Sequence, residues 1–331
     1  MSDKKRRAVV IFNLGGPDQT RAIQPFLFNL FYDRAIIDYP NPIRWIIAKI
    51  IAGRRAPIAR QIYDRIGGGS PIVHETRQQA TTLQDQLNRQ SDEWDHQVVV
   101  SMRYWHPFAA EAAQSVADYG PDEIVLLPLF PQYSVTTTKT GFAAWDRAVE
   151  SIGLKVPTRR ISSYPAQDGW VKAQCDLIQP ALQDASVPLR VLFSAHGLPK
   201  KTVKAGDPYP DHVAIGAQAI ADRLALSQNE WVICYQSRVG PMEWIGPSLD
   251  DELNRAAGDG VGVVIVPISF VSEHSETLVE LDMDYQLIAD KLGITIYRRI
   301  PVVGVSKPFI EGLAEMVMTS KSDNGSETGL I

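Results

Sequence analysis

Short runs of consecutive apolar residues alternate along the chain with longer stretches in which apolar residues recur every three or four positions. The short runs are rich in valine, isoleucine and leucine, which is typical of strands buried on both faces of a sheet. The longer stretches, such as 74–90, 107–120 and 212–226, have the period of amphipathic helices. This alternation predicts parallel sheets covered by helices. The predicted strands are 8–14, 96–104, 123–130 and 158–164 in the first half, and 190–196, 230–236, 261–270 and 294–299 in the second.

The two halves of the chain carry the same pattern. Each half contains four predicted strands, and "VVIFNLGGP" in the first half matches "VLFSAHGLP" in the second, since both run from an apolar strand to glycine and proline. We therefore expect an α/β fold of two similar doubly wound, Rossmann-like lobes, each built on a parallel sheet. The lobes are predicted at 1–168 and 169–318, with the last helix placed to pack on the first lobe. The polar, glycine-containing segment 319–331 is predicted to be a disordered tail.

Composition excludes several classes of protein. With 331 residues, 45% of them hydrophobic, the chain is long enough for two domains with sizeable cores. Its net charge of −5 provides no basic field that would attract a nucleic acid. The two cysteines, Cys175 and Cys234, lie far apart in apolar segments, which disfavours a disulfide framework and favours a reducing, cytoplasmic compartment. We expect neither a secretion signal nor a spanning helix, because the apolar runs are too short.

One segment, 25–55, is unusually apolar for a soluble chain. It reads "PFLFNLFYDRAIIDYPNPIRWIIAKIIAGRR" and ends in paired arginines. A pair of core helices would explain this composition. An exposed apolar lip that touches a membrane surface or an apolar ligand would explain it equally well.

The residues that follow each predicted strand carry the candidate chemistry, since ligands of parallel sheets bind beyond the carboxyl ends of the strands. In the first half these segments read "NLGGPD", "MRYWHP" and "PQYSVTTTKTG", and in the second "SAHGLP", "QSRVGPMEWIGP" and "SFVSEHSETLVELD". Glycine, proline, aromatic and ionisable residues recur in all six. A single cleft between the lobes, lined by every one of these segments, is therefore predicted.

His196 is the leading candidate for a reactive group. It ends an apolar strand and enters a Gly-Leu-Pro turn, which favours a functional imidazole over a buried structural one. The histidines His74, His96, His106 and His212 are predicted to be surface or loop residues. "NLGGPD" lacks the spacing of nucleotide-binding loops and is interpreted as a tight turn.

Two further segments leave alternatives open. "IGGGSP" (66–71) allows either close approach to a ligand, with the Ser70 hydroxyl at a helix start, or a flexible turn with a helix cap. The segment 272–292 predicts an α-helix with one apolar face and an acidic row that begins beside His274. Solvation and the helix dipole account for part of that row, and with the imidazole it also predicts a transient path for a divalent cation. The apolar face comprises Leu278, Leu281, Tyr285, Ile288 and Leu292, and the acidic row comprises Glu273, Glu276, Glu280 and Asp284.

With these motifs in order, the chain resembles the ferrochelatases, which insert ferrous iron into a porphyrin. The resemblance runs from about residue 8 to residue 308. It is carried by "FNLGGPD", "QIYDRIGGGSPI", "MRYWHP", "LPLFPQYSVTTT", "LFSAHGLP", "GDPYP", "QSRVGPMEWIGPSLDDEL" and "ISFVSEHSETLVELDMDY". It implies two similar lobes, each with a four-stranded parallel sheet, around a porphyrin cleft, and it implies that the apolar segment 25–55 is the lip of that cleft.

The resemblance also implies roles for particular residues. His196 would face the macrocycle and accept protons, and Glu276 would be the essential carboxylate with His274 beside it. Arg103 would lie near the ring. The expected metal-handling residues are His196, His274, Glu276 and Glu280; the expected pocket residues are Leu14, Tyr63, Tyr104, Trp244 and Phe270; and the expected propionate-binding residues are Arg55, Ser70 and Arg238.

The resemblance leaves some choices to be made. "RIGGGSP" and "QSRVGPMEWIGP" favour protoporphyrin IX as the substrate, with coproporphyrin or a cobalt chelatase of the same superfamily as alternatives, and a non-catalytic tetrapyrrole carrier as a different class. "TTTKTG" departs from the glycine and serines usual in the family. No cysteine follows Cys234, so no iron–sulfur cluster and no required cofactor are expected, with Fe²⁺ as a substrate. The expected location is cytoplasmic, with peripheral contact on the inner face of the membrane.

Overall fold

The computed structural model describes residues 4–237 and 242–319. In the first half the elements are β1 (Lys5–Asn13), α1 (Ile23–Tyr32), α2 (Ile43–Asp64), α3 (Ile72–Gln90), β2 (Trp94–Met102), α4 (Ala109–Tyr119), β3 (Glu123–Pro128), α5 (Thr138–Ser151) and β4 (Thr158–Arg160). In the second half they are α6 (Asp168–Ala181), β5 (Leu189–His196), α7 (Lys200–Lys204), α8 (Tyr209–Arg223), β6 (Trp231–Gln236), α9 (Leu249–Asp259), β7 (Gly262–Pro267), a π-helix (Glu276–Asp284), α10 (Tyr285–Lys291), β8 (Tyr297–Arg299) and α11 (Lys307–Thr319).

The two sheets have the same topology. The strand order is β2-β1-β3-β4 in the first and β6-β5-β7-β8 in the second, and every pairing is parallel. The predicted fold class, two four-stranded parallel α/β lobes, is confirmed. The register is equivalent as well, because Phe12 pairs with Pro128, which ends β3, and Ser194 pairs with Pro267, which ends β7. Two residues further on, Leu14 and His196 therefore occupy corresponding places in the two lobes.

The helix predicted over 272–292 differs from the observed one. Residues Glu276–Asp284 form a π-helix and only Tyr285–Lys291 is α-helical. Hydrogen bonds from i to i+5 widen the helix and change which side chains face inward. The buried residues of the π-helix are Thr277, Val279 and Leu281, so Leu278 of the predicted apolar face is only partly buried.

The inner faces of the two sheets share one hydrophobic core. Val9 of β1 and Phe193 of β5 belong to the same buried cluster, together with Leu83 of α3 and Trp170 of α6. Separate clusters cover the outer faces, one under α4 and α5 and one under α9, the π-helix and α10. Near-continuous burial of the strands explains why they read as apolar runs rather than alternating patterns.

Helix α11, the last helix of the described residues, lies between the two halves. Helix α11 packs against α6 and also against α3 of the first lobe. Arg159 of β4 donates a hydrogen bond from Nη2 to the carbonyl of Val317 at 3.1 Å. The end of the described chain therefore contacts the first lobe.

Helices α1 and α2 form the segment that the sequence singled out as apolar. They pack on each other around a small cluster that includes Leu27, Ala52 and Tyr63. The side of α2 away from this cluster is exposed and apolar, with Ile43 49%, Trp45 43%, Ile46 49% and Ile50 48% accessible. Among residues 4–237 and 242–319, none of the helices combines the length and the apolarity that crossing a membrane requires.

Candidate active site

His196 is the last residue of β5, and its ring orientation is set by the turn that follows. Its Nδ1 lies 2.7 Å from the carbonyl oxygen of Gly197. A carbonyl oxygen only accepts hydrogen bonds, so Nδ1 carries a proton, and in the neutral form of the ring Nε2 is the nitrogen with the free lone pair. Gly197 also allows Trp244 to pack closely, because a Cβ atom there would lie 3.2 Å from the indole ring. The strand exit therefore presents an imidazole nitrogen beside an aromatic face.

Glu276 opens the π-helix and lies between two imidazoles. Its Oε2 is 3.9 Å from Nε2 of His196 and 3.8 Å from Nε2 of His274. Both distances are too long for hydrogen bonds, and this buried oxygen has no hydrogen-bond partner in the described chain. Burial alone would raise the pKa of the Glu276 carboxyl, but His196 and His274 in their protonated, cationic forms outweigh it and lower that pKa to about 2. The carboxylate is thus ionised, and its Oε2 makes no hydrogen bond with the described residues.

His274 mirrors His196 on the other side of this carboxylate. Its Nδ1 lies 3.1 Å from the carbonyl oxygen of Ser272, so Nδ1 is the protonated nitrogen and Nε2 faces Glu276. The ring packs edge-on against Phe270, with centroids 4.5 Å apart. Burial lowers the pKa of the His274 imidazole, but the adjacent carboxylate of Glu276 raises it by a larger amount, so the net pKa shift is upward.

Glu280 and Asp284 continue the acidic row towards the surface. Ser237, at the exit of β6, donates to the Glu280 carboxylate from its backbone N–H at 3.0 Å and from its hydroxyl at 2.6 Å. Burial and the nearby charge of Glu276 raise the pKa of Glu280. Ser237 has a φ of 60°, a left-handed conformation that is uncommon outside glycine. No pattern in the sequence indicated this role, although Ser237 follows a predicted strand directly.

The described residues contain no group of three or more histidine, cysteine or acidic side chains arranged to hold a metal ion. His196, His274, Glu276 and Glu280, which the sequence predicted as metal-handling residues, do lie together along one side of the π-helix. Their separations are those of an open row of donors. A closed structural metal site would need shorter and convergent distances.

Helix α2 of the lip ends against the π-helix. Tyr63 is buried beside Ser275, and burial together with the charge of Glu276 raises the pKa of the Tyr63 phenol to about 12. Two residues further on, directly after the helix, Arg65 forms an ion pair with Asp284 at 2.7 Å. The end of α2 and the residue after it thus contact both ends of the π-helix that carries Glu276.

Arg103 and Tyr104, at the exit of β2, are both bound to the lip. Nη2 of Arg103 and the hydroxyl of Tyr104 donate to the same oxygen of Asp33, at 2.6 Å and 3.0 Å. Tyr104 is only 2% exposed, so its ring forms part of the wall behind the cleft surface. Asp33, which the sequence did not identify, fixes both residues at the end of α1. A cavity of about 330 Å³ beside Arg103 is lined by α4 and α5, away from the His196 group.

The remaining residues predicted from the sequence have varied environments. Leu14 is partly buried at the exit of β1, and Arg55 is exposed on α2 with its guanidinium 5.7 Å from the ring centre of Phe31. Ser70 is 8% exposed, and a Cβ atom on Gly16 would lie 2.8 Å from it, so the triple-glycine turn packs tightly against the loop after β1. Arg238 lies outside the described residues.

The sequence comparisons connect this geometry to known proteins. The family model described as Ferrochelatase matches residues 6–321. The chain is 47% identical over 313 residues to the ferrochelatase of Wolbachia sp. subsp. Drosophila simulans (strain wRi), covering 94% of this chain and 98% of that protein. It is 46% identical over 318 residues to the ferrochelatase of Caulobacter vibrioides (strain NA1000 / CB15N), covering 96% and 90%.

Solved structures share the fold at low sequence identity. SirB from Bacillus subtilis with Fe³⁺ aligns with a TM-score of 0.55 and 12% identity over 95% of this chain and 94% of that one. CbiX, the terminal enzyme for biosynthesis of siroheme in denitrifying bacteria, aligns with a TM-score of 0.50 and 14% identity over 96% and 100%. At these identities the likeness establishes the two-lobed architecture alone.

Proposed function

Because the chain belongs to the ferrochelatase family over nearly its whole length, we propose that it inserts Fe²⁺ into protoporphyrin IX to give protoheme, the last step of heme formation. The observation that carries the proposal is the position of Glu276. Its ionised carboxylate lies between two imidazole nitrogens at a strand exit that faces the lip. That arrangement brings groups that can accept protons and groups that can coordinate a metal ion to the same place in the cleft.

The reaction requires two protons to leave the pyrrole nitrogens while Fe²⁺ forms bonds to all four nitrogens of the ring. Nε2 of His196 has a free lone pair because Nδ1 is committed to the Gly197 carbonyl. An imidazole near neutral pH is well matched to general-base catalysis. We assign proton acceptance to His196, which takes the two protons one after the other and releases the first to water before it takes the second, because its side chain is 39% exposed; the Glu276 carboxylate stabilises the imidazolium formed each time.

Iron is a substrate that must reach the ring partly stripped of water. Asp284, Glu280 and Glu276 form a row from the exposed end of the π-helix to its buried start, where His274 adds an imidazole. Carboxylate and imidazole are suitable ligands for Fe²⁺, and the open spacing favours brief binding and release. We assign metal delivery to this row, and the chain needs no resident cofactor for it.

The macrocycle needs flat apolar faces that hold it and bend it. Trp244 lies beside the turn after His196 and Phe270 beside His274, and Leu14 occupies the position in the first lobe that corresponds to His196 in the second. Aromatic and aliphatic faces are suited to a porphyrin. Tyr63 and Tyr104 lie behind these faces and stiffen the pocket, whereas the exposed Arg55 is available to a propionate.

The function is tested with purified protein under anaerobic conditions. Protoporphyrin IX with Fe²⁺ or Zn²⁺ should be converted to the metalloporphyrin, followed by absorbance or fluorescence. Coproporphyrin and a more carboxylated tetrapyrrole, supplied in parallel, should react more slowly. Preferred turnover of either would replace protoporphyrin as the substrate. Tight binding without turnover of any of them would identify a carrier instead.

We also propose that the lip makes peripheral contact with a membrane, where apolar porphyrins partition. The exposed apolar residues of α2 lie among cations such as Lys49 and Arg54, a pattern suited to an anionic interface. Anionic vesicles should sediment with the wild-type protein. The triple variant Trp45→Ser, Ile46→Ser, Ile50→Ser should no longer sediment with the vesicles. The control variant Ile152→Ser, which replaces a comparably exposed isoleucine outside the lip, should bind as the wild type does. Equal sedimentation of both variants would refute the contact.

A further inference from the structure

The segment 271–275, between the exit of β7 and the π-helix, is held by the first lobe on both sides of His274. Tyr63 of α2 contacts it after the histidine, at Ser275. Before the histidine, two side chains of α3 hold it. Glu75 accepts a hydrogen bond from the backbone N–H of Glu273 at 2.6 Å, and Gln79 bonds to Val271 and Ser272. The backbone next to a site residue of the second lobe is thus fixed from the first.

The spacing of Glu75 and Gln79 explains how one helix can hold several consecutive residues. Positions i and i+4 of an α-helix lie on the same face, so both side chains of α3 point at the 271–275 segment. Gln79 is 1% exposed. Its Nε2 donates to the carbonyls of Val271 at 2.8 Å and Gly304 at 3.0 Å, while its Oε1 accepts from the Ser272 hydroxyl at 3.0 Å. Both amide hydrogens and one acceptor position are therefore in use.

These bonds lead directly to the imidazole of His274. Ser272 is 3% exposed, and its hydroxyl is also approached by Nδ2 of Asn13, from the exit of β1, at 3.4 Å. The carbonyl of the same serine accepts the Nδ1–H of His274 at 3.1 Å. Because that bond fixes the tautomer, it decides that Nε2 faces Glu276.

We propose that Gln79 is a positioning residue for His274: through Ser272 it holds the imidazole with Nε2 towards Glu276, so that metal handling by the second lobe depends on its docking to the first. This inference rests on the proposed function and deepens it. Gln79 touches neither substrate. It acts on metal delivery through the orientation of one ring.

The decisive variant is Gln79→Leu, which keeps the volume of the side chain and removes its three hydrogen bonds. The Ser272 hydroxyl and the Gly304 carbonyl lose their Gln79 partner, and the 271–275 segment loses its alignment. We expect kcat/KM for Zn²⁺ in protoporphyrin metallation to fall about tenfold or more, as for other residues that orient a metal ligand. KM for protoporphyrin should stay within about twofold of the wild-type value, since the wall residues keep their own contacts.

A double-mutant cycle separates positioning from general damage. If Gln79 acts through His274, then adding Gln79→Leu to a His274→Ala protein should change kcat/KM for Zn²⁺ by less than about twofold. The matched control is Gln132→Leu. Gln132 is 2% exposed, follows β3 in the first lobe, and donates to the Ile268 carbonyl of the second lobe at 3.2 Å, ahead of the 271–275 segment. It should lose comparable thermal stability while KM for Zn²⁺ remains as in the wild type.

The tautomer itself supplies a readout independent of turnover. In protein labelled with ¹⁵N-histidine, the His274 signals, assigned by their loss in His274→Ala, should show a protonated Nδ1 in the wild type and in Gln132→Leu. In Gln79→Leu the two nitrogens should shift towards a mixture of tautomers. Unchanged His274 signals, or equal losses of activity from Gln79→Leu with and without His274, would overturn the proposal. A wild-type protein that metallates no porphyrin would refute the proposed function, and the spectra would still decide the positioning.

Discussion

The two lobes carry different chemistry on equivalent scaffolds. The exits of β1 and β5 correspond in register, yet the first reads Asn13-Leu14 and the second Ala195-His196. At the exit of β2 the ionisable Arg103 is neutralised by Asp33. At the exit of β6, by contrast, Ser237 donates two hydrogen bonds to the carboxylate of Glu280. Groups that can bind a proton or a metal are thus concentrated in the second lobe.

The difference shows that the shared topology determines where the strand exits lie, whereas the residues at those exits determine which chemistry each one can carry out. Both lobes direct their parallel strands at the cleft, so both could have carried reactive groups. The first lobe instead provides an apolar wall, the lip, and the side chains that hold the second lobe in position. A catalytic site of this kind needs one rigid half and one reactive half.

The sharpest way to break the comparison is to exchange the corresponding residues. His196→Leu makes the second exit like the first and should lower metal insertion by about 10³-fold, within the range for loss of a general base. Leu14→His added to it should not restore activity, because Glu276, which stabilises the imidazolium, lies beside the exit of β5. The measurement is initial-rate metallation with folding checked by circular dichroism. Recovery in the exchanged protein would show that the lobes are chemically interchangeable.

Removing the carboxylate from the reactive half should have the next largest effect. Glu276→Gln keeps the shape of the side chain and should reduce turnover about 100-fold. Because the folded-state pKa of Glu276 lies near 2, below the ordinary 4.5, its ionised form contributes stability that is lost as pH falls from about 4.5 towards 2.

The pKa shift of His274 sets the upper limit of the pH range in which the interaction between His274 and Glu276 stabilises the protein. Its folded-state pKa is raised above 6.5, so its contribution to stability is present below pH 6.5 and is lost as pH rises through the raised value. Urea denaturation should therefore show the largest stability difference between wild type and Glu276→Gln between about pH 4.5 and 6.5. A difference that is independent of pH would contradict the assigned interaction.

In the first lobe a comparable isosteric change should cost stability more than chemistry. Asp33→Asn removes the charge that accepts from both Arg103 and Tyr104, and we expect a loss of about 2 kcal/mol, typical for hydrogen bonds to a charged group. The loosened lip should raise KM for protoporphyrin and leave kcat for the bound substrate nearly unchanged. Chemical denaturation and steady-state kinetics measure the two effects. A fall in kcat without a change in stability would place catalytic chemistry in the first lobe.

The smallest predicted effects come from the two corresponding glycines. Gly15 has a φ of 80°, and an added Cβ would lie 3.2 Å from Met102 and from Trp105, so Gly15→Ala should cost about 1 kcal/mol in unfolding free energy. Gly197 does not have a positive φ, but a Cβ atom there would lie 3.1 Å from the Gln236 carbonyl oxygen and 3.2 Å from the Trp244 ring, so Gly197→Ala should displace Trp244 and lower metallation more than stability. The reverse order of effects would mean that the two turns have the same role.

Much of the fold followed from local pattern. The duplication and the parallel sheets were predictable because strands buried on both faces must be continuously apolar. The convergence of His196 and Glu276 was predictable because both follow parallel strands of one sheet. The π-helix was not predictable, since acidic and apolar positions spaced at three and four fit an α-helix equally well.

Residues defined by distant partners escaped the sequence analysis. Asp33 meets Arg103 from 70 positions away, and Gln79 meets Val271 from 192. His96 was predicted at the surface from its charged neighbours, and that prediction was wrong. It is 2% exposed beside Arg7, and burial together with that cation lowers its pKa to about 4. No local pattern encodes such pairings, because they arise only when strands and helices are assembled.

The contact of α11 with α3 has a consequence for the folding of the chain during its synthesis. A ribosome finishes α3 at residue 90 and reaches the end of α11 only at residue 319. At 5–20 residues per second, roughly ten to fifty seconds separate the two events. Throughout that interval an apolar face of the first lobe has no partner. A nascent chain of this protein therefore offers a binding surface to cellular chaperones until its final helix emerges.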